Sequence, residues 1–153
     1  MKYWLMKSEP DVFPLAQLKK DKTTWWEGVR NYQARNFMMK DMQLGDLVLF
    51  YHSNATPPGV AGIAKISHVA EPDKAQFDKK SEYFDPKASK EKPIWYCVQL
   101  EFVDELKEFV SLQDLREAKG LEDMLVLAKG SRLSVQPVEK KHFDIVTHLG
   151  HGQ

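Results

Sequence analysis

The sequence predicts a mixed α+β domain, a small curved or barrel-like sheet flanked by short helices. Apolar runs of strand length recur at residues 3–6, 47–52 and 94–103. Segments with helical spacing fall between and after them, without the regular alternation of a doubly wound sheet and without an internal repeat. At 153 residues the chain reads as one domain, residues 1–153, long enough to bury a core without disulfide or metal staples.

Residues 3–6 (YWLM) open a strand that Ser8-Glu9-Pro10 ends, because proline cannot continue a ladder. Phe13, Leu15 and Leu18 space a short helix, closed by the polar residues 19–22. Trp25 and Trp26 stand at the mouth of a polar turn. Ala34, Phe37, Met38 and Met42 then occupy i, i+3, i+4 and i+8, one face of a helix. Asn31 is placed to cap that helix and Gly45 to follow its C-terminus. Residues 47–52 (LVLFYH) form the clearest strand, apolar enough to be buried on both faces. Pro57-Pro58-Gly59 turns the chain into a strand over residues 60–69, whose glycines admit another backbone closely. Residues 74–92 are charged and poor in aliphatics, a long loop that nevertheless holds Tyr83-Phe84. After the strand at 94–103, Ser111 and Asp114 resemble a capping box. Residues 132–138 read as a last strand stopped by Pro137, and Phe143, Val146 and Leu149 space a terminal helix.

Lys and Arg number 22, as do Asp and Glu, so the formal net charge is zero. Proteins that cling to duplex phosphates carry a basic excess; here any nucleic acid must be held by a local patch and a selective pocket. Cys97 is the only cysteine. That excludes an intrachain disulfide and a zinc site built on cysteines, and its apolar run makes it a buried, inert thiol. The N-terminus lacks the apolar core of a signal peptide, and no stretch approaches the about 20 apolar residues of a membrane span. A soluble, intracellular, cytoplasmic protein with no membrane partner is expected. The sequence contains no G-x-G-x-x-G, P-loop or G-x-S-x-G motif, and the histidines at 52, 68, 142, 148 and 151 form no H-E-x-x-H. No cofactor, metal or catalytic residue is expected.

Four places retain chemical interest. "KSEP" at residues 7–10 follows a strand directly, where side chains emerge toward a cleft. It is either a solvated turn or a polar cluster, with Lys7 for a phosphate and Ser8 and Glu9 for a base edge. The tryptophans either fill core or divide, since adjacent extended residues face opposite ways. Arg30 and Arg35 add positive charge near a helix start, which also offers N–H groups to an anion. "FYHSN" ends the best strand with His52 and Ser53, the histidine being either a satisfied turn residue or a ligand contact.

Taken together, "YWLMKSEP", "WWEGVRNYQARNFM", "GDLVLFYHSN", "GVAGIAKI", "YFDP", "PIWYCVQLEFV" and "RLSVQPV" resemble the EVE domain family, in order and over nearly the whole chain. The resemblance implies a PUA-like open β pseudo-barrel with short flanking helices. It also implies non-catalytic binding of a modified nucleobase, in particular a modified cytosine in DNA, with RNA as the other carrier. The chain is expected to be a monomer. The family is related to YTH domains, whose cage tryptophan resembles Trp26, whose "K-S" resembles Lys7-Ser8, and whose later cage aromatic falls near Tyr83. Glu27 stands in place of a serine and a tyrosine in place of the second tryptophan, departures that suit a different base from methyladenine.

The implied base pocket comprises Ser8, Glu9, Pro10, Trp26, Glu27, Asn31, His52, Ser53 and Tyr83, with Lys7, Arg30 and Arg132 toward phosphates. Trp25 is expected to pack, Trp26 to form the base platform, and Gly28 to let the turn pass close to a ligand. Two alternatives stand beside this: a small ASCH-type amidohydrolase acting on modified nucleosides through Lys7, Ser8 and Glu9, and a PUA-like RNA-binding module.

Overall fold

A computed structural model describes residues 1–129 and 133–152. Its strands are β1 (Tyr3–Ser8), β2 (Thr23–Trp25), β3 (Leu47–His52), β4 (Gly59–Pro72), β5 (Tyr96–Ser111) and β6 (Val135–Val138). Among the described residues they form one six-stranded sheet in the order β2-β5-β4-β3-β1-β6. β1 runs parallel to β3, and the other neighbours are antiparallel. The sheet stays open, with β2 and β6 at its edges. Four register shifts along the β4–β5 ladder mark bulges, the devices that bend a long hairpin toward a barrel.

Period-two alternation sorts the central strands between two cores. Trp4 and Met6 of β1 and Val48 and Phe50 of β3 enter one cluster with Leu15, Leu18, Ala34 and Met38. Leu5, Leu49 and Tyr51 enter the other, with Leu115, Phe143 and Val146. The first cluster lies under α1 (Leu15–Asp21) and α2 (Tyr32–Asn36), the second under α3 (Leu112–Glu117) and α4 (Lys140–Gly150). Helices on both faces explain why β3 reads as an unbroken apolar run.

Most expected elements are present, with instructive differences. Asn31 caps α2 by accepting from the Ala34 N–H at 2.9 Å, and Ser111 and Asp114 form a complete capping box on α3. Beyond Asn36 the helix widens into a π-turn (Phe37–Asp41), closed by Met42 N–H donating to the Phe37 carbonyl. Gly45 is therefore not the residue after that helix; it lies in the connection to β3 and donates its N–H to the Ile66 carbonyl.

The glycines of β4 do admit close neighbours: a Cβ on Gly62 would sit 2.7 Å from the Asp104 carbonyl oxygen. β5 runs to Ser111, well past the expected end at residue 103, since its charged residues lie on an exposed stretch. β2 was not anticipated, being only three residues long.

The loop after β4 is held firmly from inside. Gln76, fully buried, donates to the Asp73 and Trp95 carbonyls at 2.8 and 2.7 Å. Its Oε1 accepts the Ile94 and Trp95 N–H groups at 2.9 and 2.8 Å. One side chain thus ties the two ends of the loop together. Its polarity had made the segment look unstructured.

Candidate nucleic-acid interface

A cleft of about 580 Å³ opens where the C-terminal end of β1 meets the turn after β2, with the Tyr83 loop as its far wall. That size lies within the about 300–1,000 Å³ typical of ligand pockets. Of the expected residues, Lys7, Ser8, Glu9, Trp26, Glu27, Arg30 and Tyr83 line it. Trp25, Gly28, Val12 and Glu82 line it too, and sequence reasoning had not placed Val12 or Glu82 there. Arg132 lies outside the described residues.

Four expected residues are not in the lining, and three of them have other partners. Asn31 is the α2 cap. His52 Nε2 accepts the Leu15 N–H at 3.1 Å, so it caps the first turn of α1. Its ring sits against Phe50 and Phe109, and burial lowers its pKa. Ser53 extends the β1–β3 pairing by donating its N–H to the Ser8 carbonyl. Pro10, in the turn after β1, is not among the cleft-lining residues. These four are structural neighbours of the cleft rather than its walls.

The two tryptophans divide the space differently from expectation. Trp26 is the one packed on the core, edge-on to Phe13 and Phe50 with centroids at 6.2 and 5.6 Å. It still lines the cleft, as an anchored wall. Trp25 belongs to edge strand β2 and lies against His68 at 5.1 Å. Both indoles border the cavity.

The polar residues of β1 point to separate partners. Ser8 Oγ donates to the Phe13 carbonyl at 2.6 Å. Glu9 Oε1 accepts from Asn54 at 2.7 Å, while its other oxygen accepts no hydrogen bond from a described residue. Lys7 Nζ lies 5.9 Å from the Tyr51 ring centroid and has no ion-pair partner among the described residues. Burial lowers its pKa. At Glu27, desolvation first and the nearby Asp73 charge second push the carboxyl up.

Four of the five Arg30 N–H groups bond to the protein. Nε and Nη2 donate to the Tyr83 carbonyl at 3.2 and 2.8 Å. Nη1 donates to the Val29 carbonyl at 3.0 Å and to Asp73 Oδ2 at 2.9 Å. Asp73, whose side chain is fully buried, also accepts the Gly28 N–H at 2.8 Å. Gly28 (φ +89°) has the Tyr83 ring against it: a Cβ there would stand 2.8 Å from two ring carbons. The close approach foreseen at Gly28 is thus made by a protein side chain.

Cys97 is buried, and desolvation pushes its thiol up to about 12, as an inert thiol requires. The described residues contain no group of three or more His, Cys, Asp or Glu able to hold a metal. None of their helices is long and apolar enough to cross a membrane.

The sequence profile of the EVE domain matches residues 2–149. The chain belongs to the EVE domain family. Thymocyte nuclear protein 1 of Homo sapiens is 40% identical over 166 aligned positions, which cover 96% of this chain and 73% of that protein. Among solved structures, a hypothetical protein from Leishmania major matches with a TM-score of 0.94 and 45% identity, over 100% of this chain and 96% of that one. The human THYN1 protein in complex with 5-methylcytosine containing DNA matches this EVE domain at a TM-score of 0.91 and 40% identity, over 100% and 99% of the two chains. An ASCH protein from Zymomonas mobilis, 11% identical with a TM-score of 0.57 over 97% of this chain and 99% of its own, shares the fold alone. The open, PUA-like sheet expected from the sequence is therefore present.

Proposed function

We propose that this chain, as one EVE domain, is a non-catalytic reader of DNA that takes a modified base of the 5-methylcytosine class into the cleft beside Trp26. The observation that carries this is the human relative crystallised with 5-methylcytosine containing DNA, which matches the fold along the full length of this chain.

The cleft chemistry supports the same reading. A base turned out of its stack costs a few kcal/mol to expose, and each base–aromatic stack returns roughly 1–3 kcal/mol. Trp26 and Tyr83 are the two candidate platforms. Glu9 keeps an oxygen for the cytosine amino group, a pairing that carboxylates make readily. Lys7, without an ion-pair partner among the described residues, is the cation placed for a flanking phosphate. With DNA as its ligand the protein works inside the cell.

The amidohydrolase reading draws no support from Lys7, Ser8 and Glu9, whose recorded contacts are with Tyr51, Phe13 and Asn54 rather than with one another. Acid–base and nucleophilic chemistry require such groups to converge on one reacting atom.

Binding to matched duplexes that differ only in one 5-methylcytosine tests the proposal. Tighter binding of the methylated duplex is expected. Trp26→Ala should weaken it by roughly 5- to 150-fold, the equivalent of one stack. Equal affinities for the two duplexes would refute it.

A further inference from the structure

Arg30 sits in a cleft proposed to receive nucleic acid, yet four of its five N–H groups bond to the protein. Its Nε and Nη2 grip the Tyr83 carbonyl, and Nη1 grips the buried Asp73 carboxylate. The guanidinium carbon lies 5.3 Å from the Tyr83 ring centroid and 5.3 Å from that of Trp95. Trp95 in turn stacks on Tyr32 at 4.8 Å and 29°. A continuous column, Tyr83–Arg30–Trp95–Tyr32, therefore runs from the cleft wall to the helix that follows the tryptophan turn. Gly28 completes the seat, because any Cβ there would meet the Tyr83 ring.

We propose that Arg30 is a positioning residue of the base pocket: it fixes Tyr83, and with it the width of the cleft opposite Trp26, instead of holding a phosphate. This rests on the reader function proposed above. The chemistry is particular to arginine. Only a planar fork bridges a carbonyl and a carboxylate while stacking between two rings, and a lysine ammonium does not. The Arg30 charge is already matched by Asp73, which leaves Lys7 as the unpaired cation among the described cleft residues.

The test measures methylated and unmethylated duplex affinities at several salt concentrations for wild type, Arg30→Lys and Arg30→Gln, with Lys7→Gln as the phosphate-contact control. Backbone hydrogen exchange across residues 78–92 is followed in the DNA-free proteins. Arg30→Lys is expected to lose about tenfold in methyl preference, the value of one weakened base–aromatic stack, and to speed exchange around Tyr83. Arg30→Gln should leave the salt dependence at its wild-type slope, while Lys7→Gln lowers it by about one phosphate.

Should Arg30→Gln fail to fold with Asp73 uncompensated, the paired Arg30→Gln/Asp73→Asn variant removes both charges. Tyr83→Leu keeps the gripped carbonyl, so it should lose preference without faster exchange. Retained preference in Arg30→Lys, a shallower salt slope in Arg30→Gln, or unchanged exchange would each overturn the proposal. A wild type without methyl preference would instead refute the reader function, and exchange would still judge the grip on Tyr83.

Discussion

Gly28 shows how much of the cleft hangs on a single missing carbon. Its positive φ disfavours any side chain, and its Cβ position is occupied by the Tyr83 ring. Gly28→Ala is expected to destabilise by about 1 kcal/mol or more and to reduce methyl preference by displacing Tyr83; urea denaturation and duplex binding measure the two effects.

His52 offers a second test through pH. Burial lowers its pKa in the fold, so the unfolded chain takes up this proton more readily once pH drops below about 6.5. The His52 contribution to stability is full above that value and declines as pH falls toward the folded pKa. His52→Gln should flatten the decline between pH 7 and 5 in thermal melts.

The roles of these residues were unevenly legible. An Asn ahead of an apolar helical face identified Asn31 as a cap at once. Nothing local distinguished the part-buried acceptor role of His52 from a ligand contact, because its partner, Leu15, lies far away in sequence. Arg30 looked like a surface cation because its anchor, Asp73, sits just past the end of β4, far away in sequence.

At the scale of elements, the loop between β4 and β5 depends on Gln76. Replacing it with leucine strands the Ile94 and Trp95 N–H groups in the interior. A cost of about 2–4 kcal/mol is expected from groups worth about 1–3 kcal/mol each when left unpaired. Equilibrium denaturation reads the loss. Gln76→Glu keeps the acceptor but cannot donate to both carbonyls, so it should be no milder.

Composition made this loop look solvated, since one buried glutamine among lysines and acids carries no periodic signal. Unbroken apolar runs gave away β1 and β3, whose alternate residues enter two apolar clusters, and the second half of β5 has no such run. There the buried positions are Leu106 and Val110, separated by the exposed Lys107, Glu108 and Phe109 and by a register shift. A bulged strand breaks the very alternation by which strands are read.

For the whole molecule, zero net charge combined with a committed Arg30 predicts weak dependence of DNA binding on salt. Each neutralised phosphate contributes a slope of about −0.9 in log K against log salt. A slope shallower than about −3 is expected, against the steep slopes of basic duplex binders, and titrations at graded salt check it. The global architecture was the most legible layer, because long ordered motifs specify an EVE domain even where single side chains do not announce their partners.

The sheet's free margins carry a last consequence. On one side stands β2, three residues long; on the other, β6 presents Pro137, exposed and without an N–H. Short strands and prolines are the means by which proteins stop foreign strands from zippering onto a sheet. An open pseudo-barrel is thereby kept from acting as a seed for fibrils, and Pro137→Val is the change that would make that margin sticky. Light scattering of the variant at high concentration, against wild type, would show it.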